Sequence, residues 1–262
     1  MSCSPGWPDK TERRKGRPFA GGKRYVRRLG GDPLSNIVVR TGFDLPGIPV
    51  DLEDAERRDL EAIMSRRRLD RGQMLLTEGD EPRYTYGVLG GGLKLVKCLR
   101  DGRTQMTGYL LPGDSLGLPI YGGYPYSAEA LADTVVCQFP TTALMALFKR
   151  HPRLQFQLLE ITCGELSLAQ EHMLLLGRKT MTERVCTFLV GLLERIERWG
   201  GHVDSFRIPL RRGEIADYLG VTIETVSRTF SRLQRDGLIA IEHGNGVKIL
   251  DRPKLAAMAI GR

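Results

Sequence analysis

Leu159, Thr162, Leu166, Ala169, Met173 and Leu176 follow one another at spacings of 3, 4, 3, 4 and 3 residues, and none carries a formal charge. That pattern is the a/d seam of a helix that packs along its length. A helix over Leu154–Arg178 rises about 1.5 Å per residue and runs roughly 37 Å. Such a seam packs either on its own domain or on a second copy in parallel. The length and the absence of charge favour the second copy. With Leu166 and Ala169 in the seam there is no like-charge repulsion between chains, so pairing need not wait for a signal.

The chain changes character on either side of this helix. Between about residues 66 and 140, β-type runs (Tyr84–Leu89, Leu93–Leu99, Gln105–Leu111, Ala128–Leu131, Thr134–Phe139) alternate with glycine turns at Gly79, Gly90-Gly91-Gly92, Gly102, Gly113 and Gly122-Gly123. Short strands at this spacing predict a jelly roll or small barrel. A short helix precedes them, with apolar positions at Leu52, Ala55, Leu60 and Ile63. After the seam comes a helix over Thr182–Arg198, then two short helices, Arg211–Leu219 and Thr222–Arg235. Gly220 lies between these two, with Thr222 as N-cap. Apolar runs Leu238–Ile241 and Val247–Leu250 flank His243-Gly244-Asn245-Gly246 and read as a hairpin. Helix, glycine turn, helix and hairpin form a winged helix-turn-helix. The fold class is therefore α+β: a basic arm at 1–40, a β-roll at 41–150, a dimerisation helix at 151–179 and a DNA-binding domain at 180–262.

Charge decides less than it first suggests. Lys and Arg number 39 against 31 Asp and Glu, a net +8. Residues 1–40 hold ten basic and three acidic groups, so +7 of this belongs to the arm and the other 222 residues are nearly neutral. The arm, rich in Gly, Pro, Lys and Arg, reads as disordered or in part a misassigned start, with a nucleic-acid tail as the alternative. No stretch approaches a membrane span and no apolar leader opens the chain, which points to a cytoplasmic protein with no membrane partner. The five cysteines, Cys3, Cys98, Cys137, Cys163 and Cys186, are odd in number and widely spaced, which argues against a disulfide scaffold or a zinc finger. The four histidines are scattered, and His172, beside the seam, reads as a surface residue. There is no G-x-S-x-G, P-loop or H-E-x-x-H, so an enzyme is not expected.

The chemistry concentrates in the helix Thr222–Arg235. Ile223, Val226, Phe230 and Leu233 share one face and are expected to fill the small core. Glu224, Ser227 and Arg228 are left outward, where a recognition helix meets the major groove. Arg228 can donate two hydrogen bonds to guanine, Glu224 can accept from cytosine N4, and Ser227 can meet several base edges. Arg211, Arg212, Thr222, Thr225 and Arg232 are candidates for the DNA backbone, which positions without specifying. A solvated face paired through Glu224 and Arg228 is the alternative. The preceding Gly-Glu-Ile-Ala-Asp-Tyr-Leu-Gly, which ends on the turn glycine, favours double-stranded DNA.

The string Arg212-Gly-Glu-Ile-Ala-Asp-Tyr-Leu-Gly-Val-Thr-Ile-Glu-Thr-Val-Ser-Arg228 resembles the helix-turn-helix of the CRP/FNR superfamily. Met173-Leu-Leu-Leu-Gly-Arg-Lys-Thr-Met-Thr-Glu-Arg-Val185 and Gly113-Asp114-Ser-Leu-Gly117 resemble its FNR and FixK branch. The likeness covers roughly residues 50–255. It implies a homodimeric regulator, an activator that works with RNA polymerase, and a TTGAT-type inverted repeat read by Glu224, Ser227 and Arg228. It also implies low-oxygen, denitrification or nitrogen-fixation genes as targets. Cyclic-AMP-binding members carry an Arg-Ser pair where this chain has Tyr126-Ser127, and the family's loop glutamate is Asp114 here. A cyclic phosphate would lack its cation, so no cyclic nucleotide is expected. Cys137 matches the β-roll ligand of iron–sulfur members, but Cys3 is the only cysteine before Cys98, so no cluster is expected and Cys137 reads as a buried thiol. The alternative is an effector-gated sensor, with haem, a small ligand or a redox thiol in the β-roll. Cys98, beside Lys97 and Arg100, is the thiol candidate.

Overall fold

The computed structural model describes residues 52–116, 122–200 and 203–261; the basic arm lies outside them. Helix α1 (Asp54–Ile63) precedes eight strands: β1 (Ser65–Leu69), β2 (Met74–Leu76), β3 (Tyr84–Gly90), β4 (Leu93–Cys98), β5 (Thr104–Leu110), β6 (Ser115–Leu116), β7 (Ser127–Ala130) and β8 (Thr134–Pro140). They form two antiparallel sheets, ordered β1-β8-β3-β6 and β2-β7-β4-β5. Leu69, Leu75, Tyr86, Val88, Leu93 and Val136, from both sheets, fill the space between them. The five expected runs are strands. The charge-rich β1 and the three-residue β2 were not expected, because β1 buries only Leu69 and shows no alternation. Gly91 permits the β3–β4 turn: its φ is +79°, and a Cβ there would stand 2.5 Å from the Asp133 carbonyl oxygen.

Five helices, a three-stranded wing and a closing helix follow: α2 (Thr141–Arg150), α3 (Pro152–Arg178), α4 (Met181–Gly200), β9 (Ser205–Arg207), α5 (Arg212–Leu219), α6 (Ile223–Arg235), β10 (Ile239–Glu242), β11 (Gly246–Ile249) and α7 (Arg252–Ala259). The wing is ordered β10-β11-β9, and Asn245 takes the left-handed conformation at the hairpin tip, with φ +66°. Helices α1, α2 and the start of α3 pack on the outer face of β8 through Leu60, Phe139, Leu144, Leu147 and Leu154.

One core crosses from the β-roll into the DNA-binding half. Met106, Tyr109, Leu111 and Leu131 pack with Phe188 and Leu192 of α4, Ile215 of α5 and Phe230 of α6. The two halves thus exclude water from one another, and apolar burial contributes about 25 cal/mol per Å² to holding them together.

Candidate nucleic-acid interface

Thr222 caps α6, its hydroxyl accepting from the Thr225 N–H at 3.3 Å. Val226, Phe230 and Leu233 are fully buried, while Glu224, Ser227 and Arg228 are exposed. At spacings of three and one residues these three share the outward face. A hydrogen bond from its own backbone N–H, then one from Thr222, holds the Glu224 carboxyl below its ordinary pKa. It is an ionised acceptor at neutral pH, as a contact to cytosine N4 requires.

Two residues stand elsewhere than the sequence suggests. Ile223 is not core: it is 51% exposed, because the first residue of α6 projects past the start of α5, where it lies over Gly213. Arg212 is half-buried, its guanidinium 3.5 Å above the Phe230 ring, and burial lowers its pKa. One face of that cation is committed to packing. Arg211 is exposed, and its backbone N–H donates to Glu214 at 2.6 Å. Arg232 is exposed and lies 3.6 Å from Asp236, a pairing weak enough in water to release for a phosphate. The Thr222 and Thr225 hydroxyls stand 3.1 Å apart and serve the cap.

Helix α3 has two apolar faces, and its own chain covers one. Leu154, Leu158 and Leu175 pack inward. Leu159, Leu166 and Met173 are 57, 58 and 63% exposed and form a stripe along the opposite side, with Ala169 and Thr162 also exposed. The Thr162 hydroxyl donates back to the Leu158 carbonyl at 2.9 Å. Leu176 departs from the expected seam: it packs against the shared core and lies 3.4 Å from where a Cβ on Gly220 would stand. The helix turns its last seam position toward its own DNA-binding domain.

His172 also departs from expectation. It is no surface residue: its ring stacks on Tyr218 of α5 at 4.2 Å, and neither ring nitrogen has a hydrogen-bond partner among the described residues. Burial first, and Arg184 second, lowers its pKa. The unfolded chain therefore binds a proton that the folded chain refuses. Stability contributed by this site is full above the unfolded value of about 6.5 and falls as the pH drops through it. Wild-type melting temperature is expected to drop between about pH 7.5 and 5.5, and less so in His172→Gln. Identical slopes in the two proteins would refute this.

Three residues join distant elements through contacts that neither periodicity nor motif announces. Arg195 of α4 pairs with Asp114, donates to the Tyr109 carbonyl at 3.4 Å and lies over the Tyr109 ring. Arg184 donates to the carbonyls of Leu176, Lys179 and Leu219, tying the end of α3 to the end of α5. Asp217 of α5 accepts from β5. Except for Leu176 and Lys179, each partner lies 35 residues or more away in the chain, so only the basic or acidic character of these three was visible in advance.

Comparison with known proteins places this arrangement. Residues 66–151 match the cyclic nucleotide-binding domain family, and residues 183–258 match the Crp-like helix-turn-helix domain family. Over 208 residues, 79% of this chain and 87% of the relative, the sequence is 42% identical to the nitrogen fixation regulation protein FixK of Bradyrhizobium diazoefficiens. The chain belongs to the CRP/FNR family of transcription regulators. The transcriptional activator protein Anr of Pseudomonas aeruginosa is 39% identical over 218 residues, 82% of this chain and 89% of that one. The structure of FixK2 from Bradyrhizobium japonicum superposes with a TM-score of 0.70 at 33% identity, covering 75% of this chain and 97% of that one.

Against the CRP/FNR pattern the β-roll is distinctive. Positions 126 and 127 offer a phenol and a hydroxyl, and the Ser127 hydroxyl accepts from the Glu78 N–H at 3.0 Å. Asp114 is engaged by Arg195 and by the Leu111 N–H. At positions 114, 126 and 127 the chain thus offers a carboxylate, a phenol and a hydroxyl, none of them a cation. Cys137 is fully buried and burial pushes its thiol up to about 11, as a strand thiol should be. Beside the exposed Cys98, Lys97 pairs with Glu78 at 2.9 Å, and the other oxygen of that carboxylate accepts from the Cys98 N–H at 3.2 Å. Among the described residues, no helix is long and apolar enough to cross a membrane.

Proposed function

We propose that two copies of this chain pair along the α3 stripe and read a TTGAT-type inverted repeat. Glu224, Ser227 and Arg228 meet base edges, and Arg211 and Arg232 meet phosphates. Ile223, exposed beside Glu224, adds an apolar surface suited to a thymine methyl. The observation that carries the reading is the division of α6: its buried face completes the core and its exposed face presents an acceptor, a hydroxyl and a bidentate donor. Pairing along α3 sets two such helices against successive major grooves about 34–36 Å apart. The stripe is apolar and uncharged, so the dimer forms without an effector. The protein works without cyclic nucleotide or iron–sulfur cluster, and its amount sets its activity.

By analogy with the relatives named for nitrogen fixation regulation and transcriptional activation, it acts with RNA polymerase as an activator of low-oxygen, denitrification or nitrogen-fixation genes. Untreated purified protein is expected to shift a TTGAT inverted-repeat duplex and to leave a scrambled duplex free. Binding only after addition of cyclic nucleotide or haem, or after anaerobic reconstitution, would support the effector-gated sensor and overturn this reading.

A further inference from the structure

Strand β5 is the outer strand of its sheet, ordered β2-β7-β4-β5. An edge strand presents unpaired backbone N–H and C=O groups that must be covered or left to water. The pairing of β4 with β5 also slips: Leu95 faces Gly108 and Val96 faces Met106, leaving Thr107 as an extra residue. Bulges of this kind bend an edge and re-aim its groups.

Here α5 covers that edge. The Met106 N–H donates to the Asp217 carboxylate at 3.1 Å, and the Gln105 side-chain amide donates to the Asp217 backbone carbonyl at 2.6 Å. Beside these bonds the Tyr109 and Tyr218 rings meet edge to face at 5.2 Å. Helix α5 is the first helix of the helix-turn-helix and shares a core with α6 through Ile215, Leu219, Val226 and Phe230. The same end of α5, at the Leu219 carbonyl, is tied by Arg184 to α3. Contacts to the β-roll and to α3 thus converge on the last turn of α5, just before the turn that leads into α6.

We propose that Asp217 is a positioning residue for DNA recognition: by accepting from the bulged edge of β5 it seats α5 on the β-roll and so sets the spacing at which two recognition helices meet a duplex. The inference rests on the dimeric reading above. It gives the edge of the β-roll a task that needs no bound small molecule, because the orientation is built into the folded chain.

The test uses the full chain as wild type, Asp217→Ala and Asp217→Asn. Binding is measured on inverted repeats whose spacer is lengthened or shortened by one base pair, and on a duplex with a single half-site. In Asp217→Ala, discrimination between the preferred spacer and its neighbours is expected to fall about tenfold, while single half-site affinity stays within roughly twofold. Asp217→Asn is expected to keep the discrimination, because its amide oxygen still accepts. Hydrogen exchange at the Met106 amide, read without DNA, is expected to quicken about tenfold in the alanine variant alone. Unchanged spacer discrimination overturns the proposal, as does a loss that falls equally on the single half-site. Should Asp217→Ala not fold, Gln105→Ala carries the same expectation and the same refutation. A wild-type chain that ignores every inverted repeat sinks the dimeric reading instead, and exchange at Met106 then still decides whether the contact restrains α5.

Discussion

A Leu166→Glu chain is expected to sediment as a monomer and to bind an inverted-repeat duplex about 10²–10⁴-fold more weakly than wild type. Leu166 lies at the middle of α3 with Leu159 and Met173 one heptad to either side, and all three are largely exposed. Exposed aliphatic side chains in a continuous stripe mark an interaction surface, and covering one leucine fully contributes about 1.5–3 kcal/mol. A glutamate there forfeits that burial and sets two like charges across the axis of a parallel pair. The chain's own cores do not include Leu166, so the monomer should keep its helix content. The large factor follows from linkage: once one half-site is bound, the second sees a high effective concentration only if the chains are joined. A variant that stays dimeric with undiminished affinity would contradict the assignment of the stripe.

The second large effect falls on Arg228. Replacing it with alanine is expected to cost roughly 1–3 kcal/mol on the cognate duplex and to relax preference at one base pair, the guanine it addresses. Arg228 is exposed and follows Glu224 by one helical turn, so its fork projects from the same face. Truncation leaves the buried Val226, Phe230 and Leu233 untouched, so the domain should melt as before. The measurement is affinity for duplexes carrying each of the four bases at that position. A uniform loss on all sequences would mean that Arg228 touches phosphate instead.

Much of this architecture was legible before any coordinates. The heptad spacing from Leu159 to Met173 locates α3, and the glycine turns with their β-runs locate most of the sandwich. Gly220 and Thr222 bracket the turn before α6. These signals are local: a cap, a left-handed glycine and a period are properties of adjacent residues. Strand β1 was missed because its three arginines give no alternation, and its place comes from pairing with β8. Ile223 and Leu176 were misplaced for one reason. Periodicity names the face of a helix but not where along its length the partner ends. Ile223 projects beyond the body that buries Val226, and Leu176 is taken by the chain's own domain.

What the chain itself determined, through short-range pattern, is which segments are helix or strand and which α6 side chains are free for a duplex. Tertiary structure alone decided that the β-roll and the DNA-binding half share a core, that Asp114 meets Arg195, that Lys97 is spent on Glu78, and that Asp217 covers the edge of β5. These are contacts between single polar groups distant in sequence. A charge or a hydrogen bond needs a partner at a few ångströms, and no periodicity records where that partner will come to lie.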